Sequence, residues 1–265
     1  MRFSFLEKRD SHSLLFKRAE LRLSGLEGLA DKGLDSMTLP QLFYFCVCLL
    51  AALSRRADGK EQWMFQSEKK WDAQWRAGQW SYMDKVAVER SKIAVMGVMG
   101  QLYSNATGSV LDVGCGEGSL ADFLTSEQQA QYVGVDLSKE AVLSGRRKRP
   151  KLRFVHSAAH HFKPRREGMR FDLIVFADML YYVEYEKVMN QFDAYLNPNG
   201  IVIISIFHHS EELMYKNIFD AAGKIFDKVD EIEVAGTTKK QAHGAEVVVT
   251  KVAFHIETYR KKTNA

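Results

Sequence analysis

The chain has 265 residues, 46% of them hydrophobic and 26% charged, with a formal net charge of +4. This is ordinary globular usage, which excludes a disordered or low-complexity chain and a polycation built around nucleic acid. Three cysteines, Cys46, Cys48 and Cys115, are too few for a disulfide framework, so a reducing, cytoplasmic setting is expected.

Residues 1–9 acquire charge at once and lack the apolar core of a secretory leader. Residues 11–30 carry Leu14, Leu15, Ala19, Leu21, Leu23, Leu26 and Leu29 at helical spacing, with Gly33 as a stop. Pro40 sits in the first turn of a second predicted helix. Its apolar run, residues 42–53, is shorter than the roughly 20 residues a membrane-spanning helix needs. A buried helix is predicted there, with docking on a membrane or partner as the other reading. Residues 1–84 are therefore read as a helical appendage plus a tryptophan-rich connector, and 85–265 as the main domain. Residues 1–59 are the segment through which the chain would self-associate or hold a partner protein.

From residue 85 the pattern changes. A helix is predicted near 85–104, its apolar positions being Val86, Ile93, Ala94, Val98, Met99 and Leu102. Short apolar runs at 109–113, 132–135, 153–156, 171–176 and 201–206 then alternate with amphipathic stretches. That alternation predicts βαβ units and a parallel sheet covered on both faces. A helix near 211–222 follows. Two final runs, 228–234 and 247–257, predict an antiparallel pair closing the sheet.

Chemistry concentrates at Val110-Leu-Asp-Val-Gly-Cys-Gly-Glu-Gly118, a strand entering a glycine turn, with a helix expected from Ser119. Glycines let a backbone approach a ligand closely, and a helix N-terminus offers unpaired N–H groups. Asp112 precedes the turn, where a carboxylate repels a pyrophosphate and attracts an ammonium or sulfonium. The spacing is Gly-x-Gly-x-Gly rather than the Gly-x-Gly-x-x-Gly of dinucleotide folds. Both details argue against a nicotinamide oxidoreductase. The next strand ends in Asp136, placed to accept hydrogen bonds from both ribose hydroxyls, and Ser138 can cap the following helix.

These segments, with Phe171-Asp-Leu-Ile-Val-Phe-Ala-Asp-Met-Leu-Tyr-Tyr182 and Leu196-Asn-Pro-Asn-Gly-Ile-Val-Ile-Ile-Ser205, resemble the successive motifs of class I S-adenosylmethionine-dependent methyltransferases. The resemblance covers about two-thirds of the chain. It implies an α/β fold with a doubly wound, seven-stranded, mostly parallel Rossmann-like sheet, and S-adenosyl-L-methionine as cofactor. The cofactor contacts it implies are Asp112, Gly114, Cys115, Gly116, Asp136, Leu137, Ser157, Ala158 and Ala177. Gly114 and Gly116 would approach the methionine part, Asp112 would hold the loop or the amino group, and Asp136 the ribose. Many members place an acid against the adenine amine; Ala158 and Ala159 stand here, which leaves that contact to backbone groups or to Ser157.

Asp178 at the fourth strand tip, and His208 and His209 after the fifth, are the candidate catalytic groups, an imidazole near neutral pKa suiting a general base. His160 and His161 lie nearer the adenine end. Trp75, Trp80, Tyr82 and Tyr181 are candidates for a lid that covers the sulfonium and excludes water. The segment after the fourth strand is not Asn/Asp-Pro-Pro-Tyr, which argues against methylation of exocyclic base amines or glutamine amides. The basic run at 146–153 falls at the far edge from the cofactor, so it reads as a solvated face. No metal site is expected. The function expected is transfer of a methyl group to a small-molecule hydroxyl or amine. A non-catalytic cofactor-binding subunit and a nucleic-acid or protein methyltransferase are the alternatives.

Overall fold

The computed structural model describes residues 66–105, 107–208, 214–240 and 248–262. The predicted helices of the appendage and His209 lie outside them. Strands β1 (Val110–Val113), β2 (Tyr132–Asp136), β3 (Arg153–His156), β4 (Phe171–Ala177), β5 (Leu196–His208), β6 (Phe226–Lys240) and β7 (Val248–Lys261) form a seven-stranded sheet. Its order is β3-β2-β1-β4-β5-β7-β6. The first five strands are mutually parallel, and β7 runs antiparallel to β5 and β6. The closing pair extends well beyond its predicted bounds, with polar residues of β6 still inside the ladder.

Because side chains alternate along a strand, each inner strand feeds two apolar layers. Leu111, Val113, Ile174, Phe176, Val202 and Ile204 face one way, packing with Val188, Met189 and Phe192 of helix α5 (Tyr185–Asp193) and with helix α6 (Met214–Ile225). Val110, Leu173, Val175, Ile201 and Ile203 face the other way, toward Ile93, Met96 and Met99 of helix α2 (Ala87–Tyr103). Asp112 shares this second face, so period two alone drives a carboxylate into an apolar layer.

Three local readings change. The helix expected from Ser119 is a 3-10 turn, Ser119–Phe123, entered through Gly118 in the left-handed region. Thr125 then caps a separate short helix, α3 (Ser126–Ala130), in a capping box with Gln128. The connector contains helix α1 (Glu68–Arg76), capped by Ser67. The buried stripe of α2 runs through Val88, Lys92, Met96 and Met99, whereas Val98 and Leu102 of the predicted face are exposed. Helix α4 (Lys139–Lys148) starts at Ser138, which accepts from the Ala141 N–H as expected. At its C-terminal end Arg149 pairs with Asp122, and Lys148 with Glu117. Among the described residues no helix is long and apolar enough to cross a membrane.

Helix α2 lies so close to the 3-10 turn that a Cβ on Gly97 would fall 2.5 Å from Phe123 Cβ and 2.7 Å from its carbonyl oxygen. At Gly100 only the tip of Leu173 stands in the way, at 2.7 Å. Alanine in a helix interior normally gains about 1 kcal/mol over glycine, while overpacking costs about 1–3 kcal/mol. Gly97→Ala is therefore expected to lower the thermal midpoint and Gly100→Ala to leave it nearly unchanged. Equal midpoints for the two variants in a thermal unfolding scan would contradict this packing.

Candidate active site

The strand order reverses between β1 and β4, and the carboxyl ends of the parallel strands open there into a cavity of about 760 Å³. Val113 and Gly114, Asp136 and Leu137, Ser157 and Ala158, and Ala177 and Asp178 line it, each pair directly after a strand or at its end. His160 and His161 line it too, just past β3.

The glycine turn is shaped by backbone demands. Gly114 and Gly116 have φ of 75° and 54°, values that glycine alone adopts without strain. A Cβ on Gly116 would also come within 3.1 Å of the Trp75 ring. Asp136 holds this turn: its Oδ2 accepts the Gly116 N–H at 2.8 Å and its Oδ1 accepts the Ser138 N–H at 2.7 Å. Burial pushes its carboxyl above the ordinary range, opposed by those two N–H groups. Each oxygen retains a second lone pair for a ligand hydroxyl.

Asp112 and Cys115 do not line the large cavity. They border a small adjoining one of about 50 Å³ beneath the turn, with Met96 and Ala177. Asp112 Oδ2 accepts from the Tyr132 hydroxyl at 2.7 Å, while Oδ1 is buried with no hydrogen-bond partner among the described residues. Burial drives its pKa up to about 7, against the Tyr132 hydrogen bond. The loop-holding role expected of Asp112 falls to Asp136 in this structure. Burial likewise raises the Cys115 thiol well above its usual value, so it remains protonated.

Helix α1 straps the turn. Trp71 and Trp75, one helical turn apart, meet Trp80 at ring distances of 5.4 and 6.4 Å, and Trp71 packs edge-on to Tyr182 at 5.0 Å. Tyr82 lies tilted beside Trp80, and Tyr181 packs edge-on to Tyr182. Asp72 accepts from Ser138 Oγ at 2.7 Å and from the Glu140 N–H at 3.2 Å. Those bonds hold its carboxyl below the usual range despite burial. The strap is thus latched to the N-terminus of α4, two residues from Asp136.

The far half of the cavity holds a group of three charges, of which the sequence points to Asp178 alone. Lys92, only 3% exposed at its side chain, pairs with Asp178 and, at 2.8 Å, with Glu89 Oε2. Its Nζ also lies 4.2 Å above the Phe254 ring. Burial would lower the Lys92 pKa, but the two carboxylates raise it, so it stays charged. Asp178 has φ of 50°, which an aspartate tolerates better than most side chains. Its N–H donates to the Ser205 carbonyl and its Oδ1 accepts from Ser205 Oγ, which aims Oδ2 at Lys92. His208 ends β5 at the same sheet edge. On β6 and β7, Glu231, His255 and Glu257 converge as a metal could require, yet the Lys228 ammonium already sits 2.5 Å from Glu231 and 3.3 Å from Glu257.

The sheet order and the cavity at its reversal define the doubly wound fold of class I methyltransferases. A family model described as a methyltransferase domain matches residues 88–226, and the chain belongs to that S-adenosylmethionine-dependent family. No curated protein matches the sequence. Among solved structures, the N-methyltransferase NodS of Bradyrhizobium japonicum, in complex with S-adenosyl-L-homocysteine, is similar. It shows 15% identity, a TM-score of 0.53, and coverage of 68% of this chain and 91% of that one. The 1,6-didemethyltoxoflavin-N1-methyltransferase of Burkholderia thailandensis shows 19% identity and a TM-score of 0.53, covering 74% and 87%. Identities this low carry the fold alone.

The buried Asp112 yields a sign that can be checked. Its folded pKa of about 7 lies above the unfolded value near 3.9, so the native state binds its proton more tightly. Stability from this group is fully present below about pH 4 and is lost as pH rises through about 7, by at most about 4 kcal/mol. Asp112→Asn should remove that loss, making the ligand-free variant more stable than the parent at pH 8 but not at pH 4. Parallel pH–stability curves for the two proteins in urea titrations would contradict it.

Proposed function

We propose that the chain transfers a methyl group from S-adenosylmethionine to a small-molecule acceptor, a hydroxyl or an amine, by direct in-line displacement in the cytoplasm. The observation that carries this reading is the cavity itself. Asp136, bound to the glycine turn yet keeping acceptor capacity, stands at one end, and an aromatic and charged enclosure stands at the other. The bound cofactor supplies a methyl group already activated on a sulfonium. The chain's own residues are left with positioning and dehydration.

In this reading Asp136 receives the ribose hydroxyls, Gly114 and Gly116 admit the methionine part, and Leu137, Ser157 and Ala158 border the adenine. Ala177 separates that half from the acceptor. Asp112 and Cys115 lie beneath the turn, and the unpaired oxygen of Asp112 suits a cationic amino group. Trp75, Trp80, Tyr82 and Tyr181 close the lid, as part of an appendage spanning residues 1–84. Residues 1–59 would serve self-association or a partner. A hydroxyl acceptor needs a proton acceptor, for which His208 at the end of β5, or His209 next in sequence, is proposed; Asp178, already engaged by Lys92 and Ser205, is the second choice. The cavity volume admits a small heterocycle such as the 1,6-didemethyltoxoflavin held by one enzyme of like fold.

Calorimetry checks the cofactor half. S-adenosylhomocysteine should bind and NAD should not. Asp136→Ala should weaken S-adenosylhomocysteine by about 10–100-fold, the effect of losing hydrogen bonds to a charged group. Unchanged affinity in the folded variant would remove Asp136 from the site.

A further inference from the structure

The charged group at the acceptor end is unbalanced in a way that selects a ligand. Glu89 and Asp178 place two carboxylates against the single ammonium of Lys92, within a cavity wall otherwise built here from Tyr82, Phe207 and Phe254. Lys92 has no donor to spare: two of its directions go to carboxylates and a third faces the Phe254 ring. It therefore cannot serve as a hook for an acidic acceptor. Asp178 is already engaged at both oxygens, Oδ1 by Ser205 and Oδ2 by Lys92, which leaves it less acceptor capacity than a carboxylate with one oxygen unengaged.

Glu89 is different. Its side chain is 12% exposed and lines the cavity, its Oε2 is taken by Lys92, and among the described residues its Oε1 accepts no hydrogen bond. Oε1 belongs to a cavity-lining residue and is not sealed off, so a ligand in the cavity can reach it, and burial of the rest of the side chain pushes the Glu89 carboxyl up in pKa even beside Lys92. A cation at Oε1 would restore the balance, and aromatic walls favour a cation's approach. A neutral hydroxyl would supply one hydrogen bond but no charge, and an anion would face two carboxylates.

We propose that the acceptor is an amine that arrives as an ammonium ion on an apolar, ring-sized body, that Glu89 Oε1 is its recognition point, and that Glu89 takes one ammonium proton to free the nitrogen lone pair that receives the methyl group. This rests on the methyltransferase reading of the cavity and narrows its acceptor from hydroxyl or amine to amine. Glu89 is then a specificity-determining residue, and Lys92 and Asp178 are the positioning residues that hold it.

The test uses the full chain saturated with S-adenosylhomocysteine. Benzylamine, 2-phenylethylamine and 3-phenylpropylamine are titrated beside the alcohol and the carboxylic acid of the same chain length, with binding read by calorimetry. At least one amine should bind about ten-fold or more tightly than its alcohol and acid counterparts, as expected for a charge-assisted hydrogen bond. Glu89→Gln should erase that preference while leaving S-adenosylhomocysteine affinity unchanged, which also reports that the variant is folded. The proposal is overturned if no amine binds, if an alcohol or acid matches the amines, or if Glu89→Gln keeps the preference. The isostere comparison on the parent protein stands even where the variant fails to fold. Absence of S-adenosylhomocysteine binding, seen before any amine is added, would instead overturn the methyltransferase reading and this proposal with it.

Discussion

The carboxylate of Asp136 is the point on which the site's geometry depends. Through Gly116 it fixes the turn after β1, and through the Ser138 N–H it fixes the start of α4. Ser138 in turn gives its hydroxyl to Asp72 on the strap. Three segments far apart in sequence are therefore registered to one another within two hydrogen-bond steps of a single half-buried acid. Charge-assisted bonds from backbone N–H groups are strong and directional, so they set position more firmly than the apolar contacts around them. The adjoining aromatic strap follows from this: Trp75 can lie on Gly116 only because that residue has no side chain and its peptide is held in place.

A second constraint operates on the other side of the switch point. Helix α2 carries a lysine in the middle of its buried stripe, which is stable only because Glu89 and Asp178 accompany it. Removing one partner of such a set leaves an uncompensated buried charge, generally far more damaging than exchanging the whole set for apolar side chains. The arrangement is thus poorly explained as a source of stability and better explained by what it presents to the cavity. Asp178 accepts a left-handed backbone to take part in it, consistent with local strain kept at a functional site.

Much of the fold was legible in the sequence because parallel strands and their glycine turns depend on local pattern. The alternation of apolar runs located the first five strands, and Asp136 stands at the end of β2, whereas Asp112 lies inside β1 and turns away from the large cavity. The family model and the sheet order bear out the resemblance to methyltransferases. What could not be read depends on tertiary partners. The face of α2 was misassigned because Val98 and Leu102 look buried and Lys92 looks exposed until Asp178, 86 residues away, is brought beside it. Glu89 and Lys92 at i, i+3 on that helix carried the signal, but surface pairs with this spacing are common. The strap helix was hidden by its polar residues, although Trp71 and Trp75 stand one turn apart. The 3-10 turn after Gly118 was read as a helix because glycine turns of this kind often precede one.

The most direct test is a crystal structure of the full chain grown with S-adenosylhomocysteine. The ribose hydroxyls are predicted to lie within hydrogen-bonding distance of the Asp136 carboxylate, with the adenine beside Ser157 and Ala158 and Trp75 covering the glycine turn. A ligand bound elsewhere, or one whose ribose is turned away from Asp136, would contradict the arrangement described above.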